Sequence, residues 1–572
     1  MRRRDFVKKM SLAAIPFTLG GVPMKLMADN ALTRMASQST NDRVLIILQM
    51  LGGNDGLNTL IPVKDYDLYY SRRANIAIPA KNSLRKMIML DSTLASDAQV
   101  GLHPDMIGAK DLYDRGRVAI VQGVSYKNNN GSHFRGRDIN FMGGSFNDYF
   151  SSGWVGRYLE QEFAPKLYPD DFPNADMLDP LAIEMGSEVT LIFHQSNNIP
   201  VSLSISDPEG FAALVNGLEG FQDQGIDPRG YPPTALMNSP YGKELNWILG
   251  LEGKSKDYAQ RLYDVYKKSS PSTVTYPEKY PFNAPAGSLQ NGLTSQLQLI
   301  ARLLDGGGAG QGVKTKVFLV KIGGFDTHAS QVENYDTTMG VHAALMYHIS
   351  AGMQAFQADL RARGLEDRVL TVTTSEFGRR IHSNGSYGTD HGTGGSVYIF
   401  GLGVQPGMVG KVPDLTQDNV EIQYDYRQIY ANILKDWMLV SESTINNDIF
   451  FKNFLNGPKE EGSGNYDYLP LAQQVITGVN ESFINARFGQ LECYPNPAKD
   501  LVNFSFLTNN TSQVQLDLLD AKGNVVSNVL NEQREAGKHE VQASVTELSA
   551  GLYFYQLKTG FVKESKKLVI VR

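Results

Sequence analysis

A chain of 572 residues exceeds what one compact core accommodates, so two or more domains are expected. With 42% hydrophobic and 20% charged residues the composition is that of a folded globular protein, which excludes a disordered chain. A net charge of -6 offers no basic field for phosphate backbones, so nucleic acid is not expected as a partner.

In chain order, Arg2-Arg3-Arg4-Asp5-Phe6-Val7-Lys8 precedes an apolar, small-residue run from Met10 to Val22 and then Leu26-Met27-Ala28. Residues 1–30 read as an export signal, because the run is too short and too rich in Gly and Pro for a bilayer of ~30 Å, which takes ~20 apolar residues. The arginine pair with its following aromatic and lysine resembles the twin-arginine motif, which implies the twin-arginine translocase as a partner. A general secretory signal with a chance Arg pair is the other reading. No later segment is apolar for long enough to span a membrane.

Arg43 to Leu51 is a continuous apolar run entering Gly52-Gly53-Asn54-Asp55-Gly56, the pattern of a buried strand ending in a glycine-rich turn. The same grammar recurs where Lys316 to Ile322 runs into Gly323 to His328, and where Arg368 to Thr374 runs into Ser375-Glu376-Phe377-Gly378-Arg379. Val118 to Val121 leads towards the Asn-rich loop before Ser132. Helical stretches such as Thr294 to Leu304 and His342 to Arg363 alternate with these strands, which predicts an α/β domain, a mostly parallel sheet with helices on both faces. That domain is assigned to 43–440, with a helical insertion at about 207–310 and an amphipathic helix over Tyr424 to Leu439 near its end. Residues 441–490 read as a connecting segment, and 491–572 as a separate small β-sandwich of short alternating strands.

Tyr494-Pro495-Asn496-Pro497, then Leu548-Ser549-Ala550-Gly551-Leu552-Tyr553, then Lys566 to Arg572 resemble in content and order the C-terminal sorting domain of the Bacteroidetes type IX secretion system. The resemblance implies the type IX machinery as a partner and passage through the periplasm to the cell surface or medium. The alternative is an immunoglobulin-like binding module.

Cys493 is the only cysteine, which excludes a disulfide framework and leaves any metal to oxygen and imidazole ligands. Asp55, Asp326, His328, Glu376, Asp390 and His391 all stand in Gly-rich turns, the first four at predicted carboxyl ends of strands, where α/β sheets bind ligands. Such a set suits one or two divalent ions, zinc, manganese, magnesium or calcium. Each member also has a plain structural reading: Asp55 as a turn residue, Asp326 as a helix cap, Glu376 as the partner of Arg379, Asp390-His391 as an ordinary loop. Ser132 precedes a helix-like stretch from His133 to Phe141, where it is either a nucleophile favoured by the helix dipole or a simple cap. Arg135 and Arg137 follow closely enough to neutralise a phosphoryl or sulfuryl group.

The segments GGNDGLN (52–58), GGFDTHASQ (323–331), SEFGR (375–379) and Thr389-Asp390-His391-Gly392, with Ser132-His133-Phe134 and Trp154-Val155-Gly156-Arg157, resemble the bacterial family catalogued as domain of unknown function 1501. That family is similar in strand order to the alkaline phosphatase and sulfatase superfamily, whose members cleave phosphate or sulfate esters with two strand-end metals and an oxygen nucleophile at a helix start. The resemblance implies metal ligation by Asp55, Asp326, His328, Asp390 and His391; the strand-end position adds Glu376 as a candidate ligand, the helix start makes Ser132 and Arg135 the catalytic candidates, and Arg137 and Arg379 are the candidates for anion binding. One departure matters: where the phosphatases have Asp-His after a strand, this chain has Ser375-Glu376-Phe377, one carboxylate and no imidazole. The expected function is a secreted metal-dependent hydrolase of small or polymeric phosphate or sulfate esters. The alternatives are a non-catalytic metal- or anion-binding surface protein and an adhesin.

Overall fold

The computed structural model describes residues 41–81, 83–217, 254–255, 257–460, 463–473, 491–508, 512–520, 524–535, 537–559 and 562–571. The signal at 1–30, the middle of the 207–310 insertion and the end of the 441–490 segment lie outside them. The chain divides into two units, Met1–Gln474 and Val475–Arg572.

The first unit is built on a nine-stranded sheet whose order is Gly407–Val409, Val118–Ser125, Gly395–Phe400, Val369–Ser375, Val44–Met50, Val317–Ile322, Ala182–Met185, Ser202–Ile205, with Tyr424–Asp425 also paired to Val118–Ser125. Only Gly395–Phe400 runs antiparallel to its neighbours. All seven residues of Val44–Met50 are buried, so both faces of the sheet are covered, as its unbroken apolar run requires. Val44, Ile46, Leu48 and Met50 pack with residues of the helices Ile107–Asp114, Gly292–Asp305 and Val341–Ala362. From the last strand, Asp425 caps the helix Tyr426–Asp436 in a reciprocal box with Gln428. Just beyond it Trp437 is fully buried and donates its indole N–H to the carbonyl of Val44 at 3.0 Å.

Two boundaries differ from the composition-based reading. Gly292–Asp305 is not insertion but core, with its apolar face buried against Val341–Ala362. The stretch after 440 likewise joins the first unit: Ile445, Ile449, Phe454, Leu455 and Leu471 are buried, so its polar composition conceals spaced apolar anchors.

The strands of the second unit pair antiparallel, with one isolated parallel bridge between Ala498 and Ile570 among the described residues. A three-stranded sheet (Glu492–Tyr494, Leu501–Thr508, Gly537–Ser544) and a four-stranded one (Val525–Arg534, Ser512–Leu519, Gly551–Thr559, Val562–Ile570) share a core that includes Val502, Phe504, Phe506, Leu516 and Tyr555. No helix among the described residues is long and apolar enough to cross a membrane.

Candidate metal centre

Val369–Ser375, Val44–Met50 and Val317–Ile322 are adjacent and parallel, so the turns that follow them meet at one edge of the sheet. Gly52 and Gly53 make that meeting close. They adopt φ of +120° and +80°, and a side chain on Gly52 would strike the Asp326 amide at 2.3 Å while one on Gly53 would strike the Phe377 ring at 2.6 Å. Glu376 fastens this turn, its carboxylate accepting the amides of Gly52 (2.9 Å) and Gly53 (3.1 Å). Arg379, wholly buried, donates to the carbonyls of Gly53, Thr389, Gly52 and Phe325 and reaches Asp326 Oδ1 at 2.7 Å.

Asp326 is the centre of the group that results. His328 Nδ1 lies 2.8 Å from Oδ1, His391 Nε2 lies 3.4 Å from Oδ1, and His133 Nε2 lies 3.4 Å from Oδ2. His133 comes from the start of the helix His133–Met142, and His391 from the hairpin Arg379–Ser383/Thr389–His391. One donor atom each of His133, Asp326 and His391 falls within 4.8 Å of the others. Phe377 lies against both rings, at 4.9 Å from His133 and 4.4 Å from His391 between centroids, and closes one side of the cluster.

The hydrogen bonding decides what these nitrogens offer. His391 Nδ1 meets the Gly131 carbonyl at 2.6 Å, and a carbonyl only accepts, so Nδ1 carries the proton and Nε2 turns a lone pair towards Asp326. Burial lowers the His391 pKa, more than the Gly131 carbonyl raises it, which keeps the ring neutral. His133 Nε2 is buried with no hydrogen-bond partner. Asp326 is half exposed; its partial burial opposes ionisation, but the Arg379 guanidinium, with His133 and His328, brings its pKa down to about 2. Two imidazole nitrogens and an ionised carboxylate thus converge on one point, a set whose charge and unsatisfied atom fit a divalent cation.

The remaining sequence-predicted residues stand elsewhere. Asp55 is buried beneath the cluster, its carboxylate spent on Arg73 in a two-point ion pair (2.8 and 2.9 Å), on Gln331 (2.6 Å) and on the Leu57 amide (3.2 Å). Burial alone would raise its pKa; Arg73, His342 and Gln331 together bring it to about 2. A guanidinium therefore already holds the position a second ion on Asp55 would need. Glu376 is committed to amides, and Asp390, on the opposite side of its strand from His391, accepts from Asn384 at 3.0 Å. Arg135 donates to the carbonyls of Phe146 and Asp148 and stacks on Tyr149 rather than facing the cluster. Arg137 lies over the Phe134 ring at 5.8 Å, partly exposed. Arg379 has no face left for an anion. Ser132 is the N-cap, accepting from the Arg135 amide at 3.4 Å, between Gly131, which receives His391, and His133.

His133 and Arg73 carry little signal in the sequence. The only sign of His133 was its place directly after Ser132 in a quoted motif; nothing marked Arg73, whose partner is 18 positions away.

Residues 285–448 match the DUF1501 family, described as a protein of unknown function. The matched DUF1501 segment contains Asp326, His328, Arg379 and His391, whereas His133 and the Asp55–Arg73 pair lie before it. Residues 492–571 match the secretion system C-terminal sorting domain. No curated protein matches the chain. The tail assigns the protein to type IX secretion and so to the cell surface or the medium.

The Arg379 network carries a first prediction. Arg379→Lys keeps the charge but cannot serve four carbonyls and Asp326 together, so Asp326 loses its fixed orientation. Divalent-metal affinity, measured by competition with a chelator, is expected to fall about 10- to 100-fold, as for other groups that orient ligands. Unchanged affinity would show that Asp326 needs no such support.

Proposed function

We propose that this protein is an exported metallohydrolase that binds one divalent ion on His133, Asp326 and His391 and cleaves phosphate or sulfate esters. The observation that carries the reading is the convergence of those three side chains, with an orphaned buried nitrogen, beyond one edge of the sheet, Asp326 after Val317–Ile322, His391 in the hairpin after Val369–Ser375 and His133 on the helix after Val118–Ser125. Three protein ligands leave positions open for substrate, the arrangement of a catalytic rather than a structural site. His328, half exposed against Asp326, is available as a fourth ligand. An ion there supplies Lewis-acid polarisation of an ester oxygen.

The chain's own groups provide the rest. Gly131 fixes the His391 tautomer and Arg379 fixes Asp326. Ser132, half-buried and open to solvent, stands at a helix start flanked by two residues tied to the cluster, which suits it to attack phosphorus or sulfur and release the alcohol. Water then hydrolyses the serine ester. The strand order and strand-end cluster support placement among alkaline phosphatase-like folds, and the Arg2-Arg3-Arg4 start supports export by the twin-arginine translocase before the tail directs secretion.

The test is metal analysis of the purified mature chain together with hydrolysis of an aryl phosphate and an aryl sulfate. About one equivalent of metal and metal-dependent release are expected. Ser132→Ala should keep the metal and lose hydrolysis by roughly 10³-fold or more. Retained hydrolysis would move the nucleophile to water, and bound metal without hydrolysis of either ester would leave a metal-binding surface protein.

A further inference from the structure

Next to the cluster, behind Phe377, the central sheet is held open. Gly395–Phe400 pairs with Val369–Ser375 only through Ile399 and Phe400, opposite Val372 and Thr371. There the ladder stops: the Tyr398 amide donates instead to the Thr373 hydroxyl at 2.8 Å, and on its other edge the strand shifts register between Gly395 and Val397 against Val118–Ser125. Between the parted strands lies a cavity of about 30 Å³ whose lining includes Ser125, Tyr126, Ser396, Glu376 and Phe377.

Three of these side chains point to what fills it. Ser125 and Tyr126 are 6% and 2% exposed, and the hydroxyl of each has no hydrogen-bond partner among the described residues, while Ser396, 7% exposed, has only the Tyr398 hydroxyl beside it. A buried hydroxyl left unpaired costs about 1–3 kcal/mol, so two at one cavity, with Ser396 able to accept a further bond beside them, call for a shared polar partner. An ion is disfavoured, because the one carboxylate in the lining, that of Glu376, is already taken by the Gly52 and Gly53 amides. An apolar guest would leave the hydroxyls unsatisfied. We propose that the cavity is a water site: about two ordered molecules, the number its volume admits, bridge Ser125, Tyr126 and Ser396.

The placement gives this water a task. Residues between the parted strand ends, Ser375 and Gly395, form the loop and hairpin that carry Phe377, Arg379 and His391. Water wedged at the root of that hairpin satisfies the gap without zipping the strands together, and so sets where His391 stands. The inference does not require an ion at the cluster.

It is tested by a crystal structure of the mature chain at a resolution that defines solvent, and by water relaxation dispersion on the same protein. Expected are density peaks of water weight within hydrogen-bonding distance of the three hydroxyls and matching long-lived waters in solution. Ser125→Ala combined with Tyr126→Phe and Ser396→Ala should lower the long-lived count by about two. A dry or closed cavity, an anomalous peak from an ion, or an unchanged count in the triple variant would overturn the assignment. Should the variant fail to fold, the density in the unaltered chain decides alone.

Discussion

On the proposed metal centre, His133→Ala and Asp326→Ala are each expected to abolish divalent-metal binding while leaving the protein folded. The two residues lie 193 positions apart, come from different elements, and meet only at the 3.4 Å approach of Nε2 to Oδ2. A shared ion is the one thing that makes both necessary for the same property. With two ligands remaining, affinity drops below what survives dialysis, and ester hydrolysis should fall by roughly 10³-fold. His133 is about a third exposed and its removal opens no core, so the melting temperature of His133→Ala should hold within a few degrees, whereas Asp326→Ala, which leaves the buried Arg379 guanidinium to backbone carbonyls alone, should stay folded with a larger drop. Asp390→Ala is the matched control, since its carboxylate faces Asn384. Full metal content in both variants would remove the metal centre from the protein, whereas loss of metal in the control as well would show that the hairpin rather than the ligands had been disturbed.

Arg73→Ala should have the opposite profile, a large loss of stability with little effect on bound metal. Arg73 and Asp55 are 0% and 1% exposed, and removing the guanidinium strands a buried carboxylate while also releasing Asn58 and the carbonyls of Ile381 and Arg380. The expected cost is about 3–5 kcal/mol. Asp55→Asn combined with Arg73→Met should cost less than the sum of the single changes, because no unpaired charge then remains inside. The pair also fixes the acid limit. Asp55 titrates at about 2 in the folded chain against 3.8 ordinarily, so its contribution is fully present above pH ~4 and is lost as pH falls from about 4 towards about 2. Urea titrations across that window should show a steeper decline in the parent than in the double variant. A second metal equivalent bound by the parent and lost in Asp55→Ala would instead return Asp55 to the ligands.

The amino-acid sequence by itself determined the elements. The apolar runs 43–51, 316–322 and 368–374 became strands within a residue or two of their predicted ends, because a strand buried on both faces needs an unbroken apolar run and the glycines after it mark where the chain turns. The alternating tail and its order of motifs were legible for the same local reason. What only the tertiary structure decided was how charge is shared across long separations. Asp55 and Asp326 look alike as acids in Gly-rich turns, yet one is sealed in a two-point pair with Arg73 while the other, tied to Arg379 through one oxygen, stays half exposed among imidazoles. His391 and Asp390 are neighbours, yet strand pleating sends only the first to the cluster. Periodicity fixes which residues form an element, but the partner of a buried charge depends on which elements meet in space, and sequence spacing carries no record of that meeting.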